Sequence, residues 1–225
     1  MNKFMRRTAQ IVSVIFHPLI ILTYMLMLLL MVNPYLFGVN SVSDKESIKF
    51  ILTVFFSTFL IPSFAIFLMW RLKLINSLEM RDKQDRIIPF IATGVFYLWV
   101  LRSVFADPNI PTAFLIAVLG TTLGLFACFI INLFFKVSLH AVGVGGLIGM
   151  ILIIMWLYSY GSFTINLPVF GTSEISINLL LMLSIFVGGL VGTSRLLLNA
   201  HTPKELYIGF AIGILTQFIS LKILL

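Results

Sequence analysis

The sequence predicts an all-α fold: a polytopic bundle of about seven transmembrane helices forming a single integral-membrane domain over residues 1–225. Three observations predict it. The chain is 60% hydrophobic and 10% charged with a mean hydropathy of +1.11, whereas a soluble domain is roughly 45–50% apolar and about 25% charged. Sixty per cent of 225 residues is about 135 apolar residues, which at about 20 per crossing fills six or seven spans. The polar residues gather in short breaks between apolar runs. Together these exclude a cytosolic domain, a disordered or collagen-like chain and a disulfide scaffold, and they leave no room for a separate soluble domain.

The elements follow in order. Lys3, Arg6 and Arg7 precede an apolar run from Ile11 to Val32. That run is longer than a signal-peptide core and no small-residue cleavage site follows it, so it reads as a retained first span. His17-Pro18 predicts a kink in its first turns. Asn33-Pro34 ends it, and residues 40–49 form a polar loop. The second span runs from Phe50 to Trp70 with Pro62 inside it. Residues 71–89 are the most charged stretch of the chain and close on Pro89. A short third span runs from Phe90 to Phe105, and Asp107-Pro108 closes it. The fourth runs from Ala113 to Phe135. The fifth runs from His140 to about Tyr160, followed by a polar loop over 161–175. The sixth covers Ile177 to Leu198, and the seventh runs from Pro203, which suits a first helical turn, to Leu225. The one cysteine, Cys128, lies in an apolar run and has no intrachain disulfide partner.

Seven crossings put the N-terminus and the breaks at 71–89, 136–140 and 195–204 on one side. That side carries Lys3, Arg6, Arg7, Arg71, Lys73, Arg81, Lys83, Arg86, Lys136, Arg195 and Lys204, against Lys45, Lys49, Arg102 and Lys222 on the other. The positive-inside rule then makes the first side cytoplasmic, with the N-terminus inside, and the expected location is a bacterial inner membrane. The net charge of +7 reads as lipid headgroup attraction and topology. No basic stripe interleaved with aromatics points to nucleic acid.

The chemistry-bearing residues collect on that same side. His201 and Glu205 stand four apart at a helix start, so they share a face, and the carboxylate can fix the tautomer of the imidazole. Gly209 and Gly213 continue that face and would admit a close neighbouring helix. An i,i+4 polar pair is also an ordinary way to begin a helix. Ser194 and Arg195 end the sixth span. A guanidinium there pairs well with phosphate oxygens, or simply snorkels. Ser138 and His140 precede a run containing Gly143, Gly145, Gly146 and Gly149. Such a helix start attracts anions, while its glycines equally serve helix packing. In the 71–89 loop Lys83 and Arg86 are candidate phosphate clamps, opposed by nearby acids that could neutralise them. His17 lies toward the same end. No cluster of metal-ligand spacing is present in the sequence, so neither a metal nor a cofactor is expected.

In combination, Ser194-Arg195-x5-His201-x3-Glu205, Ser138-x-His140 and the basic stretch Lys83, Arg86, Pro89 resemble the motifs of the type 2 phosphatidic acid phosphatase superfamily of membrane lipid phosphatases. The third motif keeps its spacing, with Glu205 in place of an aspartate. The second keeps Ser and His but has Val137 and Leu139 where the family has Pro and Gly, and the first has a shortened spacing. Family members typically have six spans and work at the outer face; here two spans separate Pro89 from Ser138, an even number that returns both motifs to one side. The resemblance implies a lipid phosphate substrate, either phosphatidate-type or a polyprenyl mono- or diphosphate. It implies His201 as nucleophile, Glu205 as its orienting carboxylate and His140 as general acid and then base. Lys83, Arg86, Ser138, Ser194 and Arg195 would be phosphate-binding residues. Two alternatives share these residues: a lipid phosphotransferase, and a non-catalytic lipid-binding protein or transporter on the same fold.

Overall fold

A computed structural model describes residues 3–80, 82, 84–167 and 171–225. Among these, seven helical segments are long and apolar enough to cross a membrane. The chain is an all-α integral membrane bundle with one small two-stranded sheet.

The first apolar segment, Lys3–Val32, is not one kinked helix. It divides into α1 (Lys3–Ile15), a 3-10 turn at Pro18–Ile20 and α2 (Ile21–Val32). The cause is local. A residue before proline is pushed out of the α region, and His17 is extended at φ −65°, ψ 136°, its Nδ1 accepting the Leu19 N–H at 3.4 Å. Across this break the Tyr24 hydroxyl of α2 donates to the Ile15 carbonyl at 2.9 Å.

The second span comprises α3 (Lys45–Phe55), a π-helical turn at Phe56–Leu60 and α4 (Ile61–Arg71). Pro62 lacks the N–H that would close the preceding helical turn, and the wider turn accommodates it. α5 (Ile87–Ala106) corrects the expected third span. It is a full 20 residues, because Pro89 lies in its first turn, where a missing N–H breaks no helical hydrogen bond. α6 (Thr112–Phe134) and α7 (Leu139–Leu157) follow.

The polar loop expected at 161–175 is instead an antiparallel hairpin, β1 (Ser162–Leu167) with β2 (Gly171–Ser176), registered from Ser162 opposite Ser176 to Leu167 opposite Gly171. Its signal was the alternation of Phe163 and Ile165 with Ser162 and Thr164: Phe163 is buried, and Ile165 and Ile175 pack on the bundle core. α8 (Ile177–Leu197) and α9 (Pro203–Leu224) complete the chain.

α7 is the central helix. α2 runs beside it in the same direction, from Pro18 against Gly143 to the Asn33 amide, which donates to the Tyr158 carbonyl at 3.4 Å. α9 packs against it most closely. A methyl placed on Gly209 would lie 2.8 Å from the Ala141 Cβ and 2.9 Å from the Ser138 carbonyl; one on Gly145 would lie 2.5 Å from the Phe210 carbonyl; and one on Gly213 would run into the Val142 carbonyl. The glycines at both ends of the spacing-four pattern thus serve close helix approach. The hairpin closes one end of the bundle. The other end is formed by the break before α2, the starts of α5, α7 and α9 and the ends of α6 and α8.

Candidate active site

The turn between α8 and α9 shapes the site first. Asn199 takes a left-handed φ of 51°, which asparagine tolerates well. The Ala200 N–H closes on the Arg195 carbonyl at 3.1 Å, ending α8. Thr202 is the N-cap of α9, its hydroxyl accepting the Glu205 N–H at 3.4 Å, and Pro203 fills the first turn. Thr202-x-x-Glu205 has the pattern of a capping box. Here, however, the Glu205 carboxylate takes a hydrogen bond from His201, with Nδ1 to Oε2 at 2.7 Å. That bond places the proton on Nδ1 and leaves the Nε2 lone pair of His201 directed away from the carboxylate. The His201 side chain is 3% exposed and that of Glu205 21%.

Three cations act on His201: Arg86, Arg195 and Lys136. Burial pushes its pKa down to about 4; the Glu205 hydrogen bond opposes the shift and the three cations add to it. The imidazole is therefore neutral at physiological pH.

Two of the three cations are held by backbone carbonyls. Arg86, at the start of α5, donates from Nε to the Met80 carbonyl at 2.9 Å and from Nη1 to the Val137 carbonyl at 3.2 Å. This second bond joins the 71–89 loop to the start of α7 on one face, as two intervening crossings require. Lys136 donates to the Ala200 carbonyl at 2.9 Å. Arg195 reaches the Ser13 hydroxyl of α1 at 3.4 Å, while its buried Nε has no hydrogen-bond partner among the described residues. Neither Arg86 nor Arg195 has a carboxylate within salt-bridge distance among those residues. A buried guanidinium N–H without an acceptor is costly, and an anionic oxygen would satisfy it.

His140, in the first turn of α7, donates Nε2–H to the Ser13 carbonyl at 3.0 Å. Its ring packs edge-on to that of His17 with centroids 5.6 Å apart. Arg195, His17 and His201 all lie near enough to act on it electrostatically. Ser138 caps α7, its hydroxyl oxygen accepting the Ala141 N–H at 3.4 Å, and its backbone N–H donates to the Glu205 carbonyl at 3.5 Å. Ser138 is fully buried, so in this arrangement it ties α7 to α9.

The structure thus brings His201, Glu205, His140, Arg195, Arg86 and Ser138 to one end of the bundle. Ser194 is buried one residue away and lines a groove between α1 and α8. Lys83 lies outside the described residues. Two residues at this end were not among the sequence candidates. Lys136 stands only two positions before Ser138, and its signal was that proximity. Ser13 carries no motif, and only the break at His17-Pro18 brings it here. Comparison of the chain with family models, with curated proteins and with solved structures finds no match in any of the three, so the resemblance rests on the motif residues alone.

Proposed function

We propose that this chain is a membrane-embedded, metal-independent lipid phosphate phosphatase that works through a phosphohistidine on His201. One observation carries the reading. A neutral, carboxylate-oriented imidazole presents its Nε2 among three cations, two of them arginines with no carboxylate within salt-bridge distance among the described residues. That combination of nucleophile and fixed positive charge suits transfer of a phosphoryl group, where negative charge spreads over the equatorial oxygens. The unpartnered Arg195 Nε supports it as a ready donor to a phosphate oxygen. The eleven-to-four distribution of basic residues supports a cytoplasmic N-terminus and a site at the cytoplasmic face of a bacterial inner membrane.

In the proposed reaction, His201 Nε2 attacks phosphorus in line with the lipid oxygen. The P–O bond to the lipid breaks as the N–P bond forms, and the leaving alkoxide takes a proton from His140. Because Nε2–H of His140 is donated to the Ser13 carbonyl, the transferred proton is a second one, which Nδ1 takes up from solvent when the dianionic phosphate binds beside it and favours the imidazolium. Glu205 stabilises the positive charge that His201 acquires. A water then attacks the phosphohistidine, giving its proton back to His140 and releasing inorganic phosphate. Arg86, Lys136 and Arg195 supply the positive field. The substrate is a phosphatidate-type or polyprenyl phosphate ester, since the charged site opens among apolar helices.

The test is phosphate release by purified protein in mixed micelles with chelator present. The panel contains phosphatidic acid, phosphatidylglycerophosphate and isoprenyl mono- and diphosphates. Release from at least one lipid is expected. His201→Ala lowers it by about 10⁴-fold or more, the scale on which loss of a nucleophile acts. Release undiminished in that variant would refute the mechanism. No release from any lipid by folded protein that binds one of them would assign the site to binding or to transfer onto an alcohol.

A further inference from the structure

We propose that the groove between α1 and α8 seats a hydrocarbon chain of the lipid whose phosphate is handled at His201; this rests on the reading above and names the access route of its substrate. The groove has a volume of about 480 Å³, within the ~300–1,000 Å³ typical of small-molecule sites. Its walls are apolar: Ala9 and Val12 of α1 face Phe186, Gly189 and Leu190 of α8, with Ser194 at the end nearest the site.

Three features argue for the tail of that lipid in this groove. The first is continuity. Ser194 lines the groove, and the next residue, Arg195, sends its guanidinium to Ser13 of α1, whose carbonyl accepts His140. A phosphate at Arg195 therefore puts the attached chain at the mouth of the groove. The second is length. Along α8 the groove runs from Phe186 to Leu197, about 16 Å at 1.5 Å per residue. That is about half of a ~30 Å hydrocarbon core, the depth of one leaflet. The third is Gly189. A Cβ there would meet nothing within 4 Å, whereas one on neighbouring Gly188 would already touch Ile148 at 3.4 Å. Gly189 is helical and packs no neighbour, so its small size leaves space along the groove floor. The occupant is a single-leaflet amphiphile with its head at the site. A second copy of the chain would have no reason to end at Arg195.

The experiment uses full-length protein in nanodiscs with phosphatidic acid carrying a photoactivatable diazirine in one acyl chain, and maps the labelled peptides. Label is expected in residues 4–12 and 186–197, and unlabelled phosphatidic acid should compete it away. Gly189→Trp, which fills the groove, should abolish that label. It should also raise KM for long-chain over short-chain phosphatidic acid by about tenfold, with kcat little changed. Met182→Trp, on an exposed position of α8 outside the groove, should do neither. Label on other helices, equal labelling by a diazirine phosphatidylcholine, or an unaltered chain-length preference in Gly189→Trp would each overturn the proposal. Competed labelling of the groove without hydrolysis of any substrate would uphold the groove and refute the catalytic reading.

Discussion

Two helix contacts flank the candidate site, and both contain glycine, yet they are built in opposite ways. Between α7 and α9 the glycines leave no space. Gly145 and Gly149 of α7 meet the backbone of Phe210 and Ile214, and Gly209 and Gly213 of α9 meet the backbone of Ser138 and Val142. Between α1 and α8, Gly189 faces open space, and a groove runs along the contact. Glycine at spacing four closes a contact only when its partner helix also brings small residues into register. α1 also buries small residues, Ala9 and Ser13, yet a Cβ on Gly189 of α8 would meet nothing within 4 Å. The candidate site therefore has one half on a closed helix contact and the other on an open one. His201, Glu205, Ser138 and His140 sit on the closed contact, which would hold the proposed nucleophile to the tolerance that proximity effects demand. Arg195 and Ser13 bridge the open contact.

Breaking the closed contact should have the largest effect. Gly213→Val places branched carbons on the Val142 carbonyl. It should destabilise the protein by about 3 kcal/mol and lower the Tm in detergent by about 6–12 °C, taking phosphate release with it. Gly189→Val, on the open contact, should leave the Tm within about 1 °C of the parent. Equal losses in the two variants would show that the two contacts do not differ.

A smaller, purely functional effect should follow from Glu205→Gln. The amide oxygen can still accept the His201 Nδ1–H, so the tautomer survives, but the charge that stabilises the developing cation is lost. The kcat should fall by about 10²-fold with little change in KM. A rise in KM with kcat unchanged would make Glu205 a binding group and not a positioning residue.

The smallest effect concerns acid. Folded His201 titrates at about 4, against an unperturbed value of about 6.5. As pH falls through about 6.5, the unfolded chain takes up a proton that the folded chain refuses, so stability declines down to about pH 4 and no further below it. The Tm should therefore be a few degrees lower at pH 5 than at pH 7, and His201→Gln should shrink that difference. A Tm that rises on acidification, or an unchanged difference in the variant, would contradict the burial of a neutral His201.

How far the sequence reached depended on the range of each interaction. The His201–Glu205 pair was legible because a four-residue spacing on a helix fixes the contact locally. The return of Arg86 and Ser138 to one face was legible because it needs only a count of crossings. The start of α5 is hard to read in the sequence because Pro89 resembles a loop terminator, although proline is at home in a first helical turn. The hairpin was missed because six-residue strands in a polar stretch give a weak periodic signal beside long apolar runs.

By itself the sequence determined the all-α class, the seven apolar segments, the two-sided distribution of charge and the one-turn pairing at the start of α9. Those follow from composition, segment length and helical periodicity, which are local properties of the chain. Only the tertiary structure decided that α1, once broken from α2, lies along α8. Only it decided that Ser13 joins residues 127 and 182 positions away in His140 and Arg195, that Lys136 stands beside His201, and that one glycine contact closes while the other opens. Those outcomes depend on which surfaces meet after folding, and no local pattern encodes the partner that a helix face will find.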